Sequence, residues 1–272
     1  MKGFLKNVSL LLLFFIIFVL SQFVVSVVVS FVVGDAVMSD RAGMVFMATY
    51  FFSMFLCYVL TTILERVACR SVTPIDYSKR GFNPVAILTG VVLLIAISIV
   101  LTPLNELLPA NTQTFPEGPL SLVTIVIIAP IFEEMIFRGR LYNILHHNGS
   151  PLSSTTLSAL AFGLVHLQPV VIINALIVGV VLSYFYIVRR SIVAPIILHM
   201  CNNAIAYALL VLSYRGESLI SILDDWMTIT VTYSVSAAIV VICAIIIFRR
   251  LFIERRNERR AEVEVDEDEI DE

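Results

Sequence analysis

The chain has 272 residues, of which 59% are hydrophobic and only 14% are charged, and its formal net charge is −3. Soluble globular proteins carry roughly 25% charged residues, so this composition excludes an ordinary soluble domain and predicts a polytopic protein in a lipid bilayer. The 18 basic residues are balanced by 21 acidic ones, and this balance gives no indication of a nucleic-acid partner.

Eight apolar segments approach the length of about 20 residues that a helix needs to cross a bilayer. In chain order they cover residues 8–33, 43–64, 84–102, 119–137, 153–168, 170–188, 191–213 and 228–248. The first is longer than the apolar part of a signal peptide and is expected to be a retained anchor. The fifth is short, and the proline of Gln168-Pro169 separates it from the sixth. The sequence therefore predicts an all-α membrane protein, a bundle of about eight transmembrane helices.

The basic residues predict the orientation of this bundle, because Lys and Arg accumulate in short cytoplasmic loops. If both termini lie in the cytoplasm, only Arg41 and Arg215 of the 18 basic residues fall outside cytoplasmic segments. The predicted arrangement is therefore N-in and C-in.

Composition divides the chain into four parts. Residues 1–118 are predicted to form an N-terminal three-helix transmembrane region, and residues 119–213 a core that contains the polar groups described next. Residues 214–253 comprise the last outer loop and the eighth helix. Residues 254–272 contain ten acidic residues after a basic cluster, and such a charged tail is predicted to be disordered.

Ionisable side chains inside apolar spans are costly and therefore indicate function by default. The fourth span ends with Glu133, Glu134 and Arg138, and two later spans contain His166 and His199. With a rise of about 1.5 Å per residue, Glu133, His199 and His166 lie roughly 10, 12 and 16 Å from the cytoplasmic edge. The sequence thus predicts that they line one cavity that opens to the cytosol.

The two glutamates are predicted to have different roles. Residues four apart share a helix face, so Glu134 can pair with Arg138, either as a structural ion pair or as part of the site. Glu133 is rotated by about 100° from Glu134 and can remain a free base. By the same spacing Phe162 stacks beneath His166.

His199 and Asn203 are also four residues apart and point the same way. An imidazole and an amide on one face can donate hydrogen bonds to an oxyanion, while a nearby carboxylate activates water. Taken singly, either histidine would more often be a hydrogen-bonded interior residue. A double glutamate at the same depth favours the catalytic interpretation.

Three motifs resemble those of the CAAX prenyl protease and bacteriocin-processing (CPBP) family of intramembrane proteases. Glu133-Glu134-Met-Ile-Phe-Arg138 resembles the family's EExxxR motif, Phe162-Gly-Leu-Val-His166 its FxxxH motif, and His199-Met-Cys-Asn-Asn203 its HxxxN motif. The resemblance extends from about Leu120 to Leu212. It implies that residues 119–213 are the catalytic core, with Glu133 as base, His166 as its partner, and His199 and Asn203 as the oxyanion pocket.

Two metal states are compatible with these residues. Glu133, His166 and His199 could supply a zinc site with two histidines and one carboxylate. No HExxH motif is present, and the resemblance favours a metal-free glutamate mechanism, which is our expectation.

The function expected from the resemblance is hydrolysis of a peptide bond in a membrane-associated protein or peptide from the cytosolic side, in a bacterial inner (plasma) membrane. The alternative is a non-enzymatic membrane scaffold or bacteriocin-immunity protein that binds a peptide or partner with the same fold. A proton-coupled transporter is a third hypothesis. Retention of costly polar groups in hydrocarbon favours the enzyme over the scaffold.

Overall fold

The computed structural model describes residues 2–33, 41–108, 116, 118–214 and 225–271. Within these ranges the chain forms eight helices and no strand, so the predicted all-α fold is confirmed. The helices are α1 (Lys2–Val33), α2 (Ala42–Cys69), α3 (Pro84–Leu107), α4 (Pro119–His146), α5 (Pro151–Leu164), α6 (Pro169–Arg189), α7 (Val193–Tyr214) and α8 (Trp226–Asp271). A short 3-10 turn, Lys79–Gly81, precedes α3.

Seven of these helices are long and apolar enough to cross a membrane, and α5 is the exception. The fifth predicted span, residues 153–168, is a helix of 14 residues, or about 21 Å, shorter than a bilayer core of about 30 Å. Its ends are fixed locally. The Ser150 hydroxyl accepts a hydrogen bond from the Ser153 backbone N–H, and Pro151 occupies the first turn. A turn after Leu164 ends the helix before Pro169 begins α6.

Helix α4 extends further than the predicted span, which ended at residue 137. It continues to His146 and contains two π-helical turns, Thr124–Ile128 and Phe137–Leu141. Arg138 and Arg140, which the orientation prediction placed in a cytoplasmic loop, are therefore buried inside the bundle. Each arginine is paired with a carboxylate, so both can be buried where the sequence predicted a cytoplasmic loop.

The apolar side chains form two clusters. One surrounds Phe14 of α1, Phe137 of α4 and Phe162 of α5, and the other surrounds Leu94 of α3, Leu182 of α6 and Leu198 of α7. Leu198 directly precedes His199. The polar residues of α4 and α7 thus lie where the two clusters meet.

Helices α5 and α6 form a tight hairpin because two glycines let their backbones approach. A Cβ atom on Gly163 would lie 2.8 Å from the Ile172 carbonyl oxygen, and one on Gly179 would lie 3.2 Å from the Ala159 Cα. Small residues at such contacts are typical of helix pairs in membranes. His166 lies in the turn of this hairpin, so the close packing fixes its position.

The last helix, α8, continues through the acidic tail. Residues 254–271, which composition predicts to be disordered, are helical to Asp271. Arg and Glu are good helix formers, and this segment is rich in both after an apolar span that is already helical. The membrane-spanning part of α8 is Trp226–Asn257.

Candidate active site

Glu134 and Arg138 form a buried ion pair on α4, as their spacing predicts. The Arg138 Nη1 donates to Glu134 Oε1 at 2.7 Å, and both side chains are fully buried. The Arg138 Nη2 donates to the Gly179 carbonyl oxygen of α6 at 3.0 Å. The guanidinium also lies over the Phe162 ring, 4.7 Å from its centre. Arg138 therefore ties α4 to both helices of the hairpin.

His199 connects the two glutamates. Its Nδ1 lies 2.8 Å from Glu134 Oε1, and its Nε2 lies 3.6 Å from Glu133 Oε2. Because an ionised carboxylate only accepts hydrogen bonds, the proton of this contact belongs to Nδ1. His199 therefore links the buried Glu134–Arg138 pair to Glu133.

Tyr50 of α2 contacts Glu133, and the sequence analysis missed it. The phenol hydroxyl donates to Glu133 Oε1 at 2.5 Å, a short distance typical of a bond to a charged acceptor. The available signal was a tyrosine within an apolar span, because a buried phenol hydroxyl usually has a partner. No local pattern identifies that partner, since Tyr50 and Glu133 are 83 residues apart.

His166 is held by the backbone of α5. Its Nδ1 is 2.7 Å from the Phe162 carbonyl oxygen, which can only accept, so Nδ1 carries the proton of this bond. The Phe162 ring packs edge-on against both imidazoles, with centres 5.2 Å from His166 and 5.4 Å from His199. The predicted contact of Phe162 with His166 is present, but it is edge-on and not stacked, and the same ring reaches His199.

Asn203 is held by an irregularity of α4. In the first π-helical turn the Ala129 N–H donates to the Thr124 carbonyl oxygen, five residues back. The next bond of that pattern would join residue 130 to Ile125, but Pro130 has no N–H. The Ile125 carbonyl oxygen instead accepts from Asn203 Nδ2 at 3.0 Å. Because Pro130 cannot donate, the Ile125 carbonyl oxygen is available to accept from Asn203 and to position its amide.

The residues proposed as zinc ligands do not form a metal site in this arrangement. Within the described ranges, no group of three or more His, Cys, Asp and Glu side chains is arranged to hold a metal ion. Glu133 and His199 are neighbours, but the Nδ1 of His199 is bound to Glu134 and that of His166 to Phe162.

A second buried ion pair joins α4 to α2, and the sequence did not predict it. The Arg140 Nη1 donates to Glu65 Oε2 of α2 at 3.0 Å and to the Thr73 carbonyl oxygen at 2.7 Å. Arg140 Nη2 donates to the Tyr58 hydroxyl at 2.8 Å, and Glu65 Oε1 accepts the Thr73 N–H at 2.9 Å. This network joins α2, α4 and the segment after α2.

Comparisons with known proteins agree with the three motifs. A family model described as type II CAAX prenyl endopeptidase Rce1-like matches residues 115–205. The membrane-embedded CAAX protease MroQ of Staphylococcus aureus (strain USA300) is 28% identical over 214 residues, covering 71% of this chain and 85% of that protein. No solved structure matches the chain. The resemblance to CPBP-family proteases that the motifs predict is therefore confirmed, and the matched segment contains all three motifs.

Proposed function

We propose that this chain is an intramembrane endopeptidase that hydrolyses a peptide bond of a membrane-associated protein or peptide from the cytosolic side, with Glu133 as the base. The position of the Glu133 carboxylate carries the proposal. One of its oxygens accepts from Tyr50, and the other faces His199 Nε2 across 3.6 Å. The Rce1-like match supports the reaction class.

The reaction begins with a water molecule beside Glu133. Two atoms 3.6 Å apart can both lie about 2.8 Å from a third, so one water can contact Glu133 Oε2 and His199 Nε2 together. Glu133 takes a proton from this water as the water oxygen attacks the carbonyl carbon of the scissile bond. The same proton then passes to the leaving nitrogen as the C–N bond breaks, so one water is consumed and no metal is needed.

His199 and Asn203 are the proposed donors to the oxyanion that forms in this step. A protonated His199 has an N–H at Nε2 in addition to the one bound to Glu134. The Asn203 amide nitrogen carries two hydrogens, of which the bond to Ile125 uses one. Donors fixed in advance cost no reorganisation during the reaction.

His166 is proposed as the proton-exchanging partner of Glu133. Its Nδ1 is held by the Phe162 carbonyl oxygen, so Nε2 is the nitrogen that can accept a proton. A bridging water is the proposed route for the proton between this nitrogen and the Glu133 carboxylate.

The test compares membrane peptides in cells that express the wild type or Glu133→Gln. We expect a set of cleavages to disappear in the variant while its abundance stays normal, because glutamine has nearly the same shape and still accepts from Tyr50. Identical peptide patterns in the two strains would contradict the protease and favour the scaffold or immunity alternative. The substrate bond found in this way can be synthesised with and without a prenylated cysteine, which tests whether a prenyl group is required.

Cytosolic-side action depends on the proposed N-in, C-in orientation. A reporter that is active only in the cytoplasm should signal when fused after Arg80, Arg190 or Arg260, and should be silent near Asn111 or Gly216. The opposite pattern would place the opening of the site on the other face of the membrane.

A further inference from the structure

Helix α2 presents a polar stripe to α4. Tyr50, Ser53, Cys57, Thr61 and Glu65 recur every three or four residues, and the last four are buried. The hydroxyls of Ser53 and Thr61 donate to carbonyl oxygens of α2 itself. Only the two ends of the stripe reach charged groups of α4, where Tyr50 contacts Glu133 and Glu65 contacts Arg140.

The contact between Tyr50 and Glu133 involves the carboxylate that reacts in the proposed mechanism. Tyr50 donates to Oε1 of Glu133, and only Oε2 remains to face His199. A glutamate has three rotatable side-chain bonds, so an unrestrained Glu133 would sample orientations that turn Oε2 away. Beside this contact the Phe51 ring of α2 packs edge-on against the Phe132 ring of α4, with ring centres 5.2 Å apart. This packing fixes α2 against α4 next to Tyr50 and Glu133.

We propose that Tyr50 is a positioning residue for Glu133. This inference rests on the proposed function. It holds Oε1 so that Oε2 is presented to the water, and it does not itself touch the substrate. Tyr50 lies outside residues 115–205, the segment that the family model matches. The N-terminal region therefore completes the site of the catalytic core, in addition to anchoring it in the membrane.

The first measurement is the kinetics of Tyr50→Phe, with an internally quenched peptide that contains the bond whose cleavage Glu133→Gln abolishes. A hydrogen bond to a charged group predicts a fall in kcat of about 10- to 150-fold. KM and the midpoint of thermal unfolding should stay close to the wild-type values, because Glu133 is partly accessible and water can replace the phenol.

Tyr58→Phe is the matched control, since it is the same substitution on the same helix. The Tyr58 hydroxyl accepts from Arg140 Nη2 at 2.8 Å, away from Glu133. We expect Tyr58→Phe to lower the unfolding midpoint and to leave kcat unchanged. Equal effects of the two substitutions on kcat and on stability would show that Tyr50 has a structural role only.

A double-mutant cycle sharpens the test. Glu133→Asp shortens the side chain and moves the carboxylate away from Tyr50, so Tyr50→Phe should lower kcat less than threefold in that background. An undiminished effect would overturn the inference, because Tyr50 would then act on another group.

If Glu133→Gln abolishes turnover and Tyr50→Phe keeps the wild-type kcat, this inference fails alone. If Glu133→Gln keeps full activity, the proposed function fails first.

Discussion

Two arginines of α4 are buried in ion pairs, Arg138 with Glu134 of the same helix and Arg140 with Glu65 of α2, and the pairs differ in what surrounds them. In the pair of Arg138 and Glu134, Glu134 also contacts the imidazole of His199, and the neighbouring Glu133 is partly accessible. Arg140 and Glu65 contact a phenol and backbone atoms of the segment after α2. The first pair is thus in contact with an imidazole, whose ordinary pKa is near neutral, whereas among the described residues a phenol and backbone atoms surround the second.

The difference limits the rule that charge inside a membrane protein indicates function. Both pairs satisfy that rule, yet only the first has the parts that a hydrolytic reaction requires. The second fixes a chain segment, since Arg140 and Glu65 bind the carbonyl oxygen and the N–H of Thr73. Buried charge indicates a constraint, and the groups around it decide whether the constraint is structural or chemical.

The largest expected effects come from breaking either pair. Glu134→Gln or Arg140→Met should lower the free energy of unfolding by roughly 3–5 kcal/mol, because each leaves a partner charge buried and unpaired. Thermal unfolding in detergent measures this loss. The folded fraction of Arg140→Met should keep the wild-type kcat, whereas Glu134→Gln should also lose activity, since His199 loses its charged acceptor.

A second substitution separates the two pairs further. Replacing Glu65 by Leu and Arg140 by Met together removes both charges. The double variant should regain at least about half of the unfolding free energy that Arg140→Met alone loses. Replacing Glu134 and Arg138 by the same residues should recover stability without recovering turnover. Full activity in that second double variant would show that the Glu134 pair is structural, like its neighbour.

The next effect concerns His199. If His199 and Asn203 donate to an oxyanion, His199→Ala or Asn203→Ala should slow the chemical step by about 100- to 1,000-fold with little change in substrate affinity. We expect less than one equivalent of zinc by elemental analysis of the purified protein, and activity that survives a chelator. Stoichiometric zinc, lost with activity in His166→Ala and His199→Ala and restored by added metal, would contradict the metal-free mechanism.

The sequence predicts the features that depend on local spacing. The apolar segments predict the helical bundle, and the i,i+4 rule predicts the Glu134–Arg138 pair and the packing of Phe162 on His166. The contacts of Tyr50 with Glu133 and of Glu65 with Arg140 join positions 83 and 75 residues apart, and no periodicity encodes which helices become neighbours.

Helix α5 ends at Leu164, four residues before the end of the fifth predicted span, for a tertiary reason. Hydropathy counts apolar residues in a window that includes the turn at residues 165–168, and it cannot detect that α5 ends there and packs back on α6. Pro169 indicates the break between the two helices, but the role of Gly163 and Gly179 in their close packing depends on the facing backbone. The assigned roles of Glu133, His166, His199 and Asn203 remain predictions for the kinetic tests.

The smallest expected effect comes from replacing Pro130, which lies between the two π-helical turns of α4. Pro130→Ala adds an N–H that can donate to the Ile125 carbonyl oxygen and displace the Asn203 amide. One competing hydrogen bond is worth about 1 kcal/mol, so kcat should fall about fivefold while thermal stability stays equal or rises. Pro103→Ala, in the last part of α3, is the control and should leave kcat unchanged. An unchanged kcat in Pro130→Ala would mean that the Ile125 carbonyl does not position Asn203 for catalysis, and that the irregularity of α4 serves packing alone.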